Sequence, residues 1–276
     1  MFEKSNVIYD RRVNAIVERA AEARIIFPQW KAGKESWLFV AAHDDDVVTG
    51  ACLTLLAALE EKVQVHVVIT ANGCMGYCDS KQRDNIVDIR KGEAIAAYKE
   101  LGLPENNIHF LGFDDCSLYL NAGRRFADKK TSAPVVEKAT GLQNSFTSIL
   151  RQVRPTRVFV PTVSDIHPDH QLTTKEFLIS IFHAQGTIWP ELGSPIDEIP
   201  LIYEYSTYSD FPTPPTMRIR TAPALLEKKL NAIKAFASQT QIDILIENQK
   251  ASGAQEFLRE VVLDILAPHK YDKMFD

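Results

Sequence analysis

The chain has 276 residues, 45% hydrophobic and 24% charged, a balance that supports a full buried core and excludes extended disorder. A net charge of -5 and a pI near 5.8 argue against a nucleic-acid partner, which needs a basic face, and no apolar stretch is long enough to span a bilayer. The opening "MFEKSNVIYDRRVNA" lacks the pattern of a signal peptide, so a cytoplasmic location is expected.

In chain order, an amphipathic helix is predicted near 10–25, within an N-terminal helical extension covering 1–33. From 34 to 276 the chain reads as a single domain. Strands are predicted at 37–42, 63–70, 107–112, 157–161 and 202–207. Helical spacing recurs at 47–61, 83–102 (closed by Gly102), 143–153, 170–184, 223–238 and 252–266. Short β-branched runs alternating with longer helices describe an α/β fold around a mostly parallel sheet. The stretches 113–140 and 185–200 have no strong period and read as loops; within them Arg124, Arg125, Lys129 and Lys130 read as a solvated basic patch and Trp189 as a surface residue. Cys52, Cys74, Cys78 and Cys116 read as reduced thiols, and His66, His109, His183 and His269 as structural.

Two segments carry chemistry, each just beyond the end of a predicted strand, where open α/β sheets place their ligands. One is His43-Asp44-Asp45-Asp46. The other is "SDIHPDHQ", with His167, Asp169 and His170. With His43, Asp46 and His170 in one crevice, two imidazoles and a carboxylate form an open three-ligand site suited to Zn²⁺, with Fe²⁺ or another divalent ion as alternatives. Asp45 is then a candidate general base toward an attacking water. His167 would stabilise an oxyanion or protonate a leaving amine, with Asp169 fixing its tautomer. Alone, the acidic turn would read as an N-cap on Asp46 and "HPDH" as a helix start.

These residues resemble the LmbE-like or PIG-L deacetylases, whose first signature, A-H-P-D-D-E, reads Ala42-His43-Asp44-Asp45-Asp46-Val47 here. The second, H-P-D-H, is matched unchanged at His167 to His170, and Arg90 and Glu93 match a third. The stretches "FLGFDDCSL", "KLNAIKAFASQ" (ending Ser238-Gln239) and "QEFLRE" extend the likeness to about residues 37 to 260. The resemblance implies a Rossmann-like three-layer sandwich and a zinc held by His43, Asp46 and His170. It further implies Asp45 as base, His167 and Asp169 as its catalytic partners, Arg90 and Glu93 as substrate contacts, and removal of an N-acetyl group from an N-acetylglucosamine-type conjugate. Two positions depart from the pattern: Asp44 replaces proline and Val47 replaces glutamate. Asp44 is expected to face solvent or cap the helix, Asp114 and Asp115 to form a wet turn. A two-metal phosphohydrolase and a non-catalytic sugar-binding domain are the competing readings, and both a monomer and a homo-oligomer remain open.

Overall fold

The computed structural model describes residues 6–76, 79–263, 271 and 274; Cys78 and His269 lie outside them. Its first element departs from expectation. Strands β1 (Val7–Val13) and β2 (Ile16–Ala20) form an antiparallel hairpin where a helix near 10–25 is predicted, followed by a single turn, α1 (Ala23–Ile26). Asn14 and Ala15, at φ 48° and 68°, supply the left-handed pair that a two-residue hairpin loop needs. The apparent helical period of "DRRVNAIVERA" yields to that turn. Residues 7–20 are therefore not helical: the hairpin belongs to the main sheet.

Strand β3 (Ser36–Ala41) is buried at every position. Trp37, Phe39 and Ala41 enter one apolar layer, Leu38 and Val40 the other, the alternation of a strand covered on both faces. The predicted helix 47–61 is two, α2 (Asp46–Gly50) and α3 (Cys52–Glu60), broken at Ala51. Gly50 lies at that break because a Cβ there would sit 2.7 Å from the Ser206 carbonyl oxygen and 2.8 Å from the Tyr205 ring.

Then come β4 (Gln64–Ala71), α4 (Ile86–Leu101) and β5 (Ile108–Phe113). The predicted loop 113–140 contains short strands β6 (Arg125–Phe126), β7 (Val135–Val136) and β8 (Ala139–Thr140), which make a small separate sheet. Next are α5 (Leu142–Val153), β9 (Arg157–Pro161), α6 (Pro168–Gln185) and β10 (Leu201–Tyr205).

The C-terminal part differs most from expectation. A strand β11 (Met217–Thr221) and a helix α8 (Ile242–Ser252) appear unpredicted, and α7 (Pro223–Ile233) ends early. Instead of a helix at 252–266, β12 (Gln255–Val261) fills the gap between β10 and β11; residues 264–266 lie outside the described residues.

The nine-stranded sheet runs β2-β1-β11-β12-β10-β9-β3-β4-β5. From β10 to β5 every pairing is parallel, and from β2 to β10 every pairing is antiparallel. Helices α2, α3, α4 and α7 cover one face of the parallel part, α5 and α6 the other, giving the three-layer, Rossmann-like sandwich.

Rings of Trp37, Phe39 and Tyr203 pack on Phe159 at centroid distances of 4.9, 4.4 and 5.3 Å. Beneath them Glu35 binds Arg157 through two hydrogen bonds of 3.0 and 3.1 Å, tying the starts of β3 and β9 together. Two loop readings also change: Arg124 stacks over Trp189 at 4.6 Å and bonds Asn144, so neither is a free surface group. His66 and His109 pair with each other at 3.1 Å, as structural residues. No helix among the described residues is long and apolar enough to cross a membrane.

Candidate active site

Strands β9, β3, β4 and β5 are neighbours and parallel, so the turns at their carboxyl ends converge. After β3 the chain enters a tight turn in which the His43 N–H donates to Asp46 Oδ2 at 2.7 Å. That bond takes Asp46 out of the capping role: Asp45 is the N-cap of α2, and its side chain makes no cap hydrogen bond. After β9, His167 caps α6 by accepting the Asp169 N–H at Nδ1, 3.2 Å.

His43, Asp46 and His170 come together as expected. His43 Nδ1 is 3.1 Å from His170 Nε2, Asp46 Oδ1 is 3.2 Å from His170 Nε2, and Asp46 Oδ2 is 3.7 Å from His43 Nδ1. Each ring has a carboxylate at its far nitrogen: His43 Nε2 is backed by Asp115 at 3.0 Å and Asp169 at 3.5 Å, and Asp165 lies 3.2 Å from His170 Nδ1 as a close charge contact without hydrogen-bond geometry. A carboxylate behind an imidazole holds the proton on the far nitrogen and turns the near lone pair inward.

Two such lone pairs and the Asp46 carboxylate therefore face one point. Asp46 Oδ1 is buried without a hydrogen-bond partner. The 3.1 Å between the two rings and the 3.2 Å from His170 to Asp46 Oδ1 lie near the roughly 3.3 Å edge of a tetrahedral site with bonds of about 2.0–2.1 Å, while Asp46 approaches His43 through its other oxygen, Oδ2, at 3.7 Å. The donor set fits a divalent ion.

Other groupings bring ligand atoms within 4.8 Å of one another, His43 with His167 and His170, and His43 with Asp115 and Asp169. They fit less well. His167 Nδ1 is spent on the Asp169 N–H, Asp169 Oδ2 accepts from the Cys116 N–H at 2.8 Å, and Asp115 faces the back nitrogen of His43.

Electrostatics follow this geometry. Burial would raise the Asp46 carboxyl, but the His170 and His43 rings hold it at about 2. Burial would lower His170, but Asp46 and Asp165 lift it to about 9. His167 is lowered by burial and by the two neighbouring imidazoles.

Asp45 and His167 line the same cleft, a cavity of about 670 Å³ that also takes in Tyr208 and Gln239. Gln239 Nε2 donates to Asp45 Oδ2 at 2.6 Å. Tyr208 stacks on His170 at 5.2 Å, and its backbone N–H donates to Asp165.

Several expectations change here. Asp169 orients His167 through its backbone N–H, while its carboxylate serves Cys116 and His43. Glu93 accepts both the N–H and the hydroxyl of Ser238 at 2.7 Å, holding the segment that carries Gln239. Asp44 neither faces solvent nor caps: it is buried, with Oδ2 3.4 Å from Arg90 Nε. Burial and the Asp45 charge push its carboxyl up to about 7 against the pull of Arg90. Arg90 itself is buried beneath residues 73–76, where a Cβ on Gly76 would meet Nη2 at 3.0 Å. Asp115, read as wet, and Asp165, Gln239 and Tyr208, not singled out for a role, all belong to the site.

The fold and the donor set define a Rossmann-like α/β domain with a candidate two-imidazole, one-carboxylate metal site. Residues 38–181 match the family model PIG-L, GlcNAc-PI de-N-acetylase, and the chain belongs to that family. It is 26% identical to 1D-myo-inositol 2-acetamido-2-deoxy-alpha-D-glucopyranoside deacetylase 2 of Saccharopolyspora erythraea, over 75% of this chain and 84% of that protein. Its fold is similar to that of N,N'-diacetylchitobiose deacetylase from Pyrococcus horikoshii (TM-score 0.61, 22% identity, 83% and 84% of the two chains). It is also similar to that of GalB, the 4-carboxy-2-hydroxymuconate hydratase from Pseudomonas putida KT2440 (TM-score 0.61, 20% identity, 84% and 98%). A hydratase on this architecture means that the fold by itself does not set the reaction.

Proposed function

We propose that the protein is a zinc-dependent N-deacetylase that removes the acetyl group from an N-acetylglucosamine-type conjugate, a small molecule. The observation that carries this reading is the convergence of His43 Nδ1, His170 Nε2 and the Asp46 carboxylate beside a cleft lined by Asp45 and His167, in a chain of the PIG-L family. Zn²⁺ suits two imidazoles and one carboxylate; Fe²⁺ is the alternative. Such an ion, when bound, polarises the acyl carbonyl and the attacking water.

The remaining work falls to the chain. Asp45, oriented by the Gln239 amide, accepts the proton of the attacking water and returns it to the leaving nitrogen, so that amide and water become acetate and amine. His167 has Nδ1 occupied by a backbone N–H, so its neutral ring carries the proton on Nε2. It acts as a hydrogen-bond donor to the oxygen on which negative charge develops. Asp115, Asp165 and Asp169 hold the two ligand rings and the turn around Cys116 in register. Because those carboxylates are engaged there, few are left for a second ion, which favours this reading over a two-metal phosphohydrolase.

The test is acetate release from N-acetylglucosamine glycosides by metal-loaded protein, with Asp45→Asn as the control. Turnover in the parent and its loss in the variant are expected. No acetate from any N-acetyl sugar, or an unaffected variant, contradicts the assignment.

A further inference from the structure

Asp44 stands where the likeness to the family pattern breaks, and the mechanism leaves it without a task. Six aspartates, Asp44, Asp45, Asp46, Asp115, Asp165 and Asp169, are each 8% exposed or less around the site. The segments that build it, residues 43–46, 114–116, 165–170 and 239–241, contain no lysine or arginine. Among the described residues, the arginine that reaches it is Arg90, from α4, itself 6% exposed. Its Nε lies 3.4 Å from Asp44 Oδ2, yet neither Asp44 oxygen nor Arg90 Nε or Nη1 has a hydrogen-bond partner among the described residues. Arg90 is thus matched in charge without being satisfied in hydrogen bonds, a buried pair in which the Asp44 charge offsets the pull that Arg90 would exert on an anion in the neighbouring cleft.

Among the described residues the cleft next to it has no lysine or arginine in its lining either. Its wall combines Ile166, Pro168, Tyr208 and Leu245 with the uncharged amides of Gln239 and Gln241. Ile166 is 76% exposed and Tyr208 54%, an apolar rim on a mouth whose floor is acidic.

We propose that Asp44 is a specificity-determining residue: by cancelling the Arg90 guanidinium it restricts the site to uncharged N-acyl substrates and rejects those bearing a phosphate or carboxylate. The proposal rests on the deacetylase reading. Six carboxylates outnumber the charges of Arg90 and the proposed divalent ion, so the floor stays negative with the ion held; it repels an anionic substrate on approach and when bound, and a protonated amine product experiences the opposite field.

The experiment compares kcat/KM for methyl N-acetylglucosaminide and N-acetylglucosamine 6-phosphate, in buffer alkaline enough to keep Asp44 ionised, in the metal-loaded parent and in Asp44→Asn. The parent should favour the neutral glycoside by about 100-fold, and Asp44→Asn should shrink that ratio by on the order of ten-fold, the scale of one unit charge acting through the protein. Added salt should raise kcat/KM for the phosphate in the parent, because screening weakens repulsion; this readout does not depend on the variant folding. Equal use of both substrates by the parent, a ratio unmoved by Asp44→Asn in folded protein of parental metal content, or a phosphate rate that falls with salt would each overturn the proposal. Acetate from neither substrate would instead overturn the deacetylase reading beneath it.

Discussion

Asp45 and Asp46 leave one turn in different directions, Asp46 toward the His170 ring and Asp45 toward Gln239 and the cleft. Asp45→Asn should therefore lower kcat by about 10²–10⁴-fold while leaving bound metal, measured by elemental analysis, at the parental level; a variant that loses its metal would make Asp45 a ligand. Asp115 and Asp165 back the two imidazoles, and replacing either by Asn should weaken metal affinity by roughly 10–100-fold in a competition titration with a chelator. Unchanged affinity in both variants would remove the backing role. The proposed ligands were legible because their two motifs sit at predicted strand ends. The backing carboxylates were not, since an acidic turn after β5 has meaning only once β5 is known to lie two strands from β3. Gln239 bonds a residue 194 positions away, a separation that no local pattern reveals.

At the scale of elements, β12 shows how tertiary context overrides periodicity. "QEFLREV" buries Glu256 and Leu258 on one side and exposes Phe257 on the other, and both its edges are filled, by β10 and β11. Glu256 reaches from this strand to accept the N–H groups of Leu53 and Thr54 at the start of α3, both at 2.9 Å, and pairs with the buried Lys229 of α7 at 2.8 Å. Glu256→Ala leaves that ammonium buried and alone. It should cost about 3–5 kcal/mol, read by urea denaturation; a loss below about 1 kcal/mol would mean the pair relaxes into water. The parallel half, with its unbroken apolar strands and long helices, was legible, Gly102 as the left-handed end of α4 included. The hairpin and the antiparallel extension were not, because their strands are amphipathic enough to imitate helices.

Across the whole molecule, two depressed carboxylates link stability to pH. Burial would raise Glu35, but the Lys31 N–H, Arg157, Thr156 and Trp37 hold it below its ordinary 4.5. Burial would likewise raise Asp10, but Arg19, Arg220 and Arg218 hold it below 3.8. A lowered folded value gives stability that is complete above the unfolded pKa and disappears as pH falls through the folded one. The thermal midpoint should thus drop on acidification below about pH 4, and less steeply in Glu35→Gln and Asp10→Asn; slopes equal to the parent's would contradict the linkage. The overall class of the molecule, an α/β domain with its chemistry at strand ends, was readable from two short motifs. The charge balance of the assembled crevice was not, because the pairing of Asp44 with Arg90 depends on how α4 lies against the β3 turn. If His43, Asp46 and His170 hold one ion that the reaction requires, titrating Zn²⁺ into chelator-treated protein while acetate release from an N-acetylglucosamine glycoside is recorded should show no activity at the start and a plateau at one equivalent per chain. Full activity without added metal, or a plateau only at two equivalents, would mean that these three residues do not hold a single required ion.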